Sequence, residues 1–283
     1  MKKQEKKSRT DRQERLEGWN QRKVNQTRVL ICGAGALGNE LCKSLALLGI
    51  GKIYLVDFDF VELSNLNRCL FFRENNAITK AKKAEIVAEK TAELNPEVHV
   101  EAIVDRIENV STSLYKNIDV ALGAVDNRAA RYWVNQYCYW NDVPYIDGGF
   151  SGFAGSVKVI VPPISACLAC SYSSEDYEDV FRKDPCTGQQ IQNDNPKIPS
   201  IVTCSSIVAS LQIQEMLKII LGIDSFREKG IWNTQIGIPS IGKHLRFVGR
   251  SNEFDVYEME KNENCPACGW RTMQYVRSSL KMV

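Results

Sequence analysis

An α/β fold built on a mostly parallel sheet is predicted from three observations. Short apolar runs alternate with helix-period segments over residues 28–147, a glycine-rich turn joins the first run to the first helix, and no internal repeat or low-complexity linker interrupts the 283 residues. RVLIC (28–32) is the first strand. Leu37, Leu41, Leu45 and Leu48 then fall at helical spacing, and Gly49 and Gly51 end that helix. KIYLVD (52–57) is the next strand. TKAKKAEIVAEKTAEL (79–94) reads as a helix stopped at Asn95-Pro96, and VHVEAIV (98–104) and IDVALGAV (118–125) read as strands. Residues 127–141 have a helical pattern, and VPYID (143–147) closes the alternation. Such βαβ units require right-handed crossovers.

Past Gly148-Gly149 the pattern changes. GSVKVIVPP (155–163) alternates and ends in Pro-Pro, which predicts a strand outside the parallel set. Residues 171–199 are polar and weakly periodic and read as a long crossover loop. Residues 201–222 form a long apolar helix expected to pack on the sheet, and 231–259 read as three short, antiparallel strands. The expected organisation is an N-terminal arm (1–27) carrying a helix, followed by one integrated domain (28–283). The crossover (171–199) lies within that domain, and its C-terminal part (223–283) holds the last strands and a cysteine-bearing tail.

Hydrophobic residues make up 44% of the chain and the net charge is +2, enough apolar material for one large core and no dominant field to attract a nucleic acid. The start, MKKQEKKSRTDRQERLEG, is charged and has no apolar run, so it is neither a signal peptide nor an anchor. No stretch approaches the ~18 consecutive apolar residues of a bilayer span. A soluble, cytoplasmic protein is the expectation. Ten cysteines do not make a disulfide framework in a chain of this length without a secretory signal; four of them form two CxxC pairs, which suits a reducing compartment and a metal.

Gly33, Gly35 and Gly38 follow a strand and open a helix. There the backbone can approach phosphate and the helix N-terminal N–H groups can meet its charge, the Rossmann-like arrangement. Asp57, at the end of the next strand, can accept from ribose hydroxyls. The loop alone does not separate a dinucleotide from ATP. The segment DFDFVELSNLNR, with Asp57, Asp59, Asn65 and Arg68, favours ATP, because an arginine beside the ribose-binding acid suits a triphosphate.

At these residues the chain resembles the ubiquitin-activating enzymes and the adenylyltransferases of molybdopterin and thiamine biosynthesis, in a short form. The family's D-x-D…S-N-L-x-R string stands as Asp57, Asp59, Ser64, Asn65, Leu66 and Arg68, and the resemblance runs from about Arg9 to Gly269. It implies Asp57 on the ribose and Asn65 and Arg68 on the phosphates. Spacing allows Lys80, Lys82 or Lys83 as the family's phosphate lysine. The family's distance to Asn95-Pro96 selects Lys83, although the preceding loop reads Ile78-Thr79 with about two extra residues. GAVDNRAAR (123–131) matches the family's Asp-Asn with an arginine four residues later. Asp126, at a parallel strand's C-terminal end, is expected to hold Mg²⁺ against the phosphates, and Asn127 is read either as a nucleotide contact or as a helix cap. RTDRQ (9–13) is similar to the family's R-x-x-R-Q, which implies that Arg12 enters a partner subunit's nucleotide site, in a homodimer or heterodimer.

Cys167-x-x-Cys170 and Cys265-x-x-Cys268 have the spacing for one tetrahedral metal, and a Cys₄ shell favours Zn²⁺ in a structural role. Of the other cysteines, Cys32 and Cys42 read as core, and Cys69 and Cys138 carry no separate signal. Cys186 lies in the polar crossover as Pro185-Cys186-Thr187, where the resemblance implies an acceptor for a thioester; Cys204 is the rival.

The expected activity is ATP-dependent adenylation of the C-terminal carboxylate of a ubiquitin-like protein ending in Gly-Gly. A thioester on Cys186 and transfer to a conjugating enzyme would follow. The alternative within the family is activation of a sulfur carrier. An NAD-dependent dehydrogenase would leave Arg68, Lys83 and Arg12 idle, and a zinc-stapled scaffold would predict a broken nucleotide site. Nothing after Gly269 resembles a ubiquitin-fold or rhodanese domain.

Overall fold

The computed structural model describes residues 8–181 and 199–269. One eight-stranded sheet runs through them in the order β3-β2-β1-β4-β5-β6-β7-β8. The strands are β1 (Arg28–Cys32), β2 (Lys52–Val56), β3 (His99–Ile103), β4 (Val120–Gly123), β5 (Tyr145–Ser151), β6 (Ala154–Ile160), β7 (Lys243–Val248) and β8 (Glu253–Glu258). The first five are parallel, and β5 through β8 pair antiparallel. The mostly parallel, Rossmann-like sheet with added antiparallel C-terminal strands is therefore as expected. Only two strands form in the tail instead of three, since residues 231–242 follow an irregular path through Gly237, Pro239 and Gly242.

Apolar residues on alternate strand positions build a core on each face of the sheet. On one face, Val29, Ile31, Ile53, Leu55, Leu122 and Ile146 pack under α2 (Ala36–Leu48), α4 (Lys83–Leu94) and α7 (Val202–Lys229). On the other, Leu30, Cys32, Ala121 and Tyr145 pack under α5 (Arg128–Trp140). The arm contributes α1 (Gln21–Gln26), whose start is capped by the Asn20 side chain.

Three element boundaries differ from the expectation. α4 starts at Lys83 and not at Thr79, because the backbone before it is used elsewhere. Val61 N–H donates to Ala81 O, Lys83 N–H donates to Asp59 O, and Phe60 pairs with Lys82 in a one-residue bridge. A short α3 (Glu74–Ile78) precedes this link. α7 continues to Lys229 and ends on Gly230 in the left-handed region (φ 69°), because Ile223 and Phe226 carry its apolar face on past Gly222. The polar crossover begins as a helix, α6 (Ser174–Phe181). α7 is long and apolar enough to cross a membrane by length and composition, yet 61% of its most apolar 18-residue window is buried against the rest of the protein. That burial identifies it as a core helix.

Candidate functional site

The strand order reverses between β1 and β4, so the loops leaving their C-terminal ends diverge and open a crevice. The glycine loop lies there, and each glycine has a distinct reason. Gly33 has φ 104°, and a Cβ on it would stand 2.5 Å from Ala124 O. Gly38, in the first turn of α2, would put a Cβ 2.0 Å from Gly33 O. Gly35 is the reverse case, since a Cβ there meets nothing within 4 Å. Gly33 thus lets the loop lie against the end of β4, Gly38 lets α2 close on the loop, and Gly35 leaves the outer surface open beside the unpaired N–H groups of a 13-residue helix.

This difference predicts separable defects. Gly38→Ala is expected to destabilise the fold by several kcal/mol through backbone overlap. Gly35→Ala is expected to leave the melting temperature within a degree or two and to weaken anion binding. Thermal unfolding alongside nucleotide titration checks this; equal losses of stability in both variants would contradict it.

Asp57 leaves β2 and turns under the loop. Its Oδ2 accepts from Ala34 N–H at 2.7 Å and its Oδ1 from Asp59 N–H at 2.8 Å. Burial pushes the Asp57 carboxyl above the ordinary range, while Lys83 and the two amides pull it down. Lys83 Nζ stands 2.8 Å from Asp59 Oδ2, with its side chain only 13% exposed. Burial works to discharge that ammonium, but Asp57 and Asp59 prevail and raise its pKa. The structure thus separates the three candidate lysines. Lys82 Nζ donates to Phe58 O at 2.8 Å and lies 3.5 Å from the Phe60 ring centre, and Lys80 is an exposed residue in the left-handed region (φ 49°). Of the three, Lys83 alone faces the two aspartates.

Asn65 ends a short 3₁₀ turn and its Oδ1 accepts from Glu62 N–H, so only its amide nitrogen is left to donate. Half-buried Arg68 donates to Ser64 O and to Asn67 Oδ1. Asp126 is exposed beyond the end of β4, with no hydrogen bond or ion pair among the described residues. Asn127 is the N-cap of α5, its Oδ1 accepting from Ala130 N–H at 2.8 Å; the cap reading describes its contacts.

Arg12 lies on the far side of the molecule. The arm is tied down by Arg9, which donates to Leu94 O, and by Gln13, which donates to Leu48 O, and these carbonyls close the C-terminal ends of α4 and α2. The glycine loop is at the other end of α2, about 20 Å away for a helix of this length. Exposed Arg12 therefore cannot serve the crevice of its own chain.

The second constellation is sulfur. Cys167, Cys170, Cys265 and Cys268 bring their Sγ atoms within 4.8 Å of one another, with contacts of 3.7, 3.8 and 3.4 Å. A tetrahedral Zn²⁺ with 2.3 Å bonds requires S···S separations of about 3.8 Å, whereas a disulfide needs about 2.05 Å. The donor set fits zinc, and a filled Cys₄ shell is structural. The two pairs draw the segment after β8 onto α5, where Gln136 donates to Ala267 O.

Cys204 is 2% exposed near the start of α7, on a cavity of about 210 Å³ with Phe153, Ile207 and Phe247, and burial raises its pKa, the setting of an inert thiol. Cys32, Cys42, Cys69 and Cys138 are also buried. Cys186 lies outside the described residues.

Several residues at the crevice were not singled out from sequence. Fully buried Asn39 donates to Ala34 O and Gly35 O and accepts from Phe71 N–H, tying the glycine loop to the segment after Arg68. Arg131, known from sequence only as the arginine that closes the Asp-Asn motif, forms a partly buried ion pair with Asp147; Gln212 reaches the same strand ends from α7, and Lys158 stands opposite Asp147 in register. Burial lowers the Lys158 pKa, partly offset by Asp147.

Comparison with known proteins agrees with this arrangement. Residues 10–267 match the ThiF family. The chain is 38% identical over 156 residues to the Nedd8-activating enzyme E1 catalytic subunit of Drosophila melanogaster, covering 50% of this chain and 34% of that protein. It is 33% identical over 159 residues to SUMO-activating enzyme subunit uba-2 of Caenorhabditis elegans, covering 55% and 27%. The matched segment is thus about a third or less of these relatives' length. Among solved structures, E. coli MccB with succinimide superposes with a TM-score of 0.68 at 25% identity, over 88% of this chain and 68% of that one. E. coli MccB with ATP gives 0.68 at 22% identity with the same coverage, a likeness of fold. With 258 consecutive residues matched, spanning the glycine loop, the aspartates, the first cysteine pair and Cys265 of the second, the chain belongs to the ThiF family.

Proposed function

We propose that this protein adenylates the C-terminal carboxylate of a ubiquitin-like protein ending in Gly-Gly, in the cytoplasm and as a dimer. The observation that carries the reading is the Lys83 ammonium held charged by Asp57 and Asp59 beneath the glycine loop. A dinucleotide site needs an acid at the end of β2 but no buried cation beside it, whereas a triphosphate needs both. Support also comes from the relatives named for activating SUMO and Nedd8.

The carboxylate oxygen of the substrate attacks the α-phosphorus of ATP. The new bond is acyl O–P, the bond to the bridging oxygen breaks, and pyrophosphate leaves with its electron pair. Asp57 orients the ribose, Lys83, Arg68 and Asn65 neutralise and hold the phosphates, and Arg12 of a second copy adds its charge. Asp126, exposed and without a partner among the described residues, would hold Mg²⁺, which supplies charge neutralisation at the phosphates. The thiol of Cys186 then loses its proton to solvent and attacks the acyl carbon, AMP departs, and a thioester remains for transfer to a conjugating enzyme. Sulfur-carrier activation shares the first step and lacks the thioester.

Isothermal titration with ATP and with NAD in the presence of Mg²⁺ tests the first step. ATP is expected to bind at least tenfold tighter, and tighter binding of NAD would overturn the reading. For the second step, a reducible adduct with the carrier is expected on a non-reducing gel and should vanish in Cys186→Ala. Its persistence would remove that cysteine from the mechanism, and its absence from the native protein would favour sulfur transfer.

A further inference from the structure

We infer that Arg131, held by Asp147, is a positioning residue that fixes the loop bearing Asp126; this rests on the proposed nucleotide site. β4 pairs with β5 only over Ala121–Gly123 against Tyr145–Asp147, and the last bond on its β1 side is Ala124 N–H to Cys32 O, so among the described residues no ladder hydrogen bond restrains Val125 or Asp126. Arg131 supplies the restraint. From the first turns of α5 its guanidinium donates to three acceptors, Val125 O at 2.5 Å, Gly148 O at 2.9 Å and Asp147 Oδ1 at 2.5 Å. Val125 is the residue immediately before Asp126, and Asn127 immediately after it is fixed as the N-cap of α5. Asp126 is therefore pinned through its backbone on both sides while its carboxylate stays exposed and unpartnered among the described residues.

The surroundings are shaped for this clamp. Tyr145 OH donates to the same Asp147 Oδ1 at 2.7 Å, so the carboxylate is held from two directions. From the opposite face of the sheet, Gln212 Nε2 donates to Gly123 O at 2.9 Å and Ile146 O at 2.8 Å, bridging the same two strand ends. A Cβ at Gly148 would stand 2.4 Å from Gln212 Oε1, and one at Gly149 would stand 3.2 Å from an Arg131 nitrogen. The two glycines thus leave room for one clamp on each face. An ion pair serving only the core would need neither the bond to Val125 O nor this convergence on the end of β4. Ion pairs, whether exposed or desolvated, contribute little net stability, so a positional role fits the arrangement.

A positioning role makes a prediction that a purely structural role does not. Affinity for Mg²⁺ and α,β-methylene-ATP would be measured by titration calorimetry for the full chain, Asp126→Ala, Arg131→Gln and the double variant, with melting temperatures recorded in parallel. Arg131→Gln is expected to weaken binding about tenfold, Asp126→Ala by at least as much, and the double variant no more than Asp126→Ala alone, because both act through one carboxylate. Arg131→Lys, which keeps the charge and fewer of the bonds, should fall between wild type and Arg131→Gln, and it serves as the single variant if Arg131→Gln does not fold. Multiplicative losses in the double variant, or unchanged affinity in a folded Arg131 variant, would overturn the clamp while leaving the nucleotide site standing. No nucleotide binding by the wild type would overturn both.

Discussion

Stripping the metal from the four-cysteine site, or replacing Cys268 by alanine, is expected to lower stability by more than about 4 kcal/mol, the range reserved for loss of a structural metal or a comparable defect. For a domain of this size that is a fall in melting temperature of roughly 8–16 °C. Cys167, Cys265 and Cys268 are buried and Cys170 half-buried, with their sulfurs packed 3.4 to 3.8 Å apart. Without a cation, four thiolates cannot coexist at that spacing, and as neutral thiols they hold the tail only weakly. Ala267, fully buried between the last two ligands, would lose its seat on α5. A colorimetric assay should find one zinc per chain, and chelation should shift the unfolding curve. A metal-free protein that melts at the same temperature would remove the staple from this description.

Lys83→Ala is expected to cost a factor of about 10² to 10³ in activation of the carrier, the usual cost of removing one preorganised charge from a phosphate or oxyanion site. Asp57 and Asp59 would remain without the ammonium between them, so the variant loses a phosphate partner and gains two uncompensated negative charges in the crevice. Lys83→Arg should not restore full activity, because a guanidinium needs more room than a point charge aimed at Asp59. Lys82→Ala is the contrasting case. Lys82 Nζ is bonded to Phe58 O and lies over Phe60, so its loss should change activity less than about threefold. Rates of the two single variants under saturating ATP decide the matter, and equal losses would mean that the lysines act together.

Much of the fold is legible in the sequence because local signals agree there. β1 occupies the RVLIC run, and α2 stops at Gly49, which takes the left-handed conformation at φ 75°. Reading failed where a distant partner decides. Thr79 to Lys82 look like the first turn of a helix, but the backbone leading into Lys83 is held by Asp59 to Val61, with Lys82 extended, and that pairing is not written in either segment alone. Gly222 looks like a stop, yet Trp232 packs against it and the helix runs on. At the site, the glycines and Asp57 announce themselves through spacing. Asn39, Gln212 and Lys158 do not, since each is a polar residue inside an otherwise ordinary helix or strand whose partners lie far along the chain. Arg131 stood in a motif, but its contacts with Val125, Asp147 and Gly148 became visible only once α5 was laid across β4 and β5.

The same geometry bears on the proposed role of Arg12, which is too far from the glycine loop of its own chain to reach it. The arm is fastened at the C-terminal ends of α2 and α4, one helix length from the glycine loop, so a site completed by Arg12 draws it from a second chain. If the proposed enzyme uses Arg12 in this way, its activity is expected to fall on dilution of the protein.

ATP–pyrophosphate exchange tests the central claim most directly, because exchange requires the acyl-adenylate to form reversibly. With a ubiquitin-like carrier ending in Gly-Gly, labelled pyrophosphate should enter ATP only when carrier, Mg²⁺ and enzyme are all present, and Lys83→Ala should abolish it. Absence of exchange with every such carrier, in a protein that binds NAD more tightly than ATP, would contradict the account.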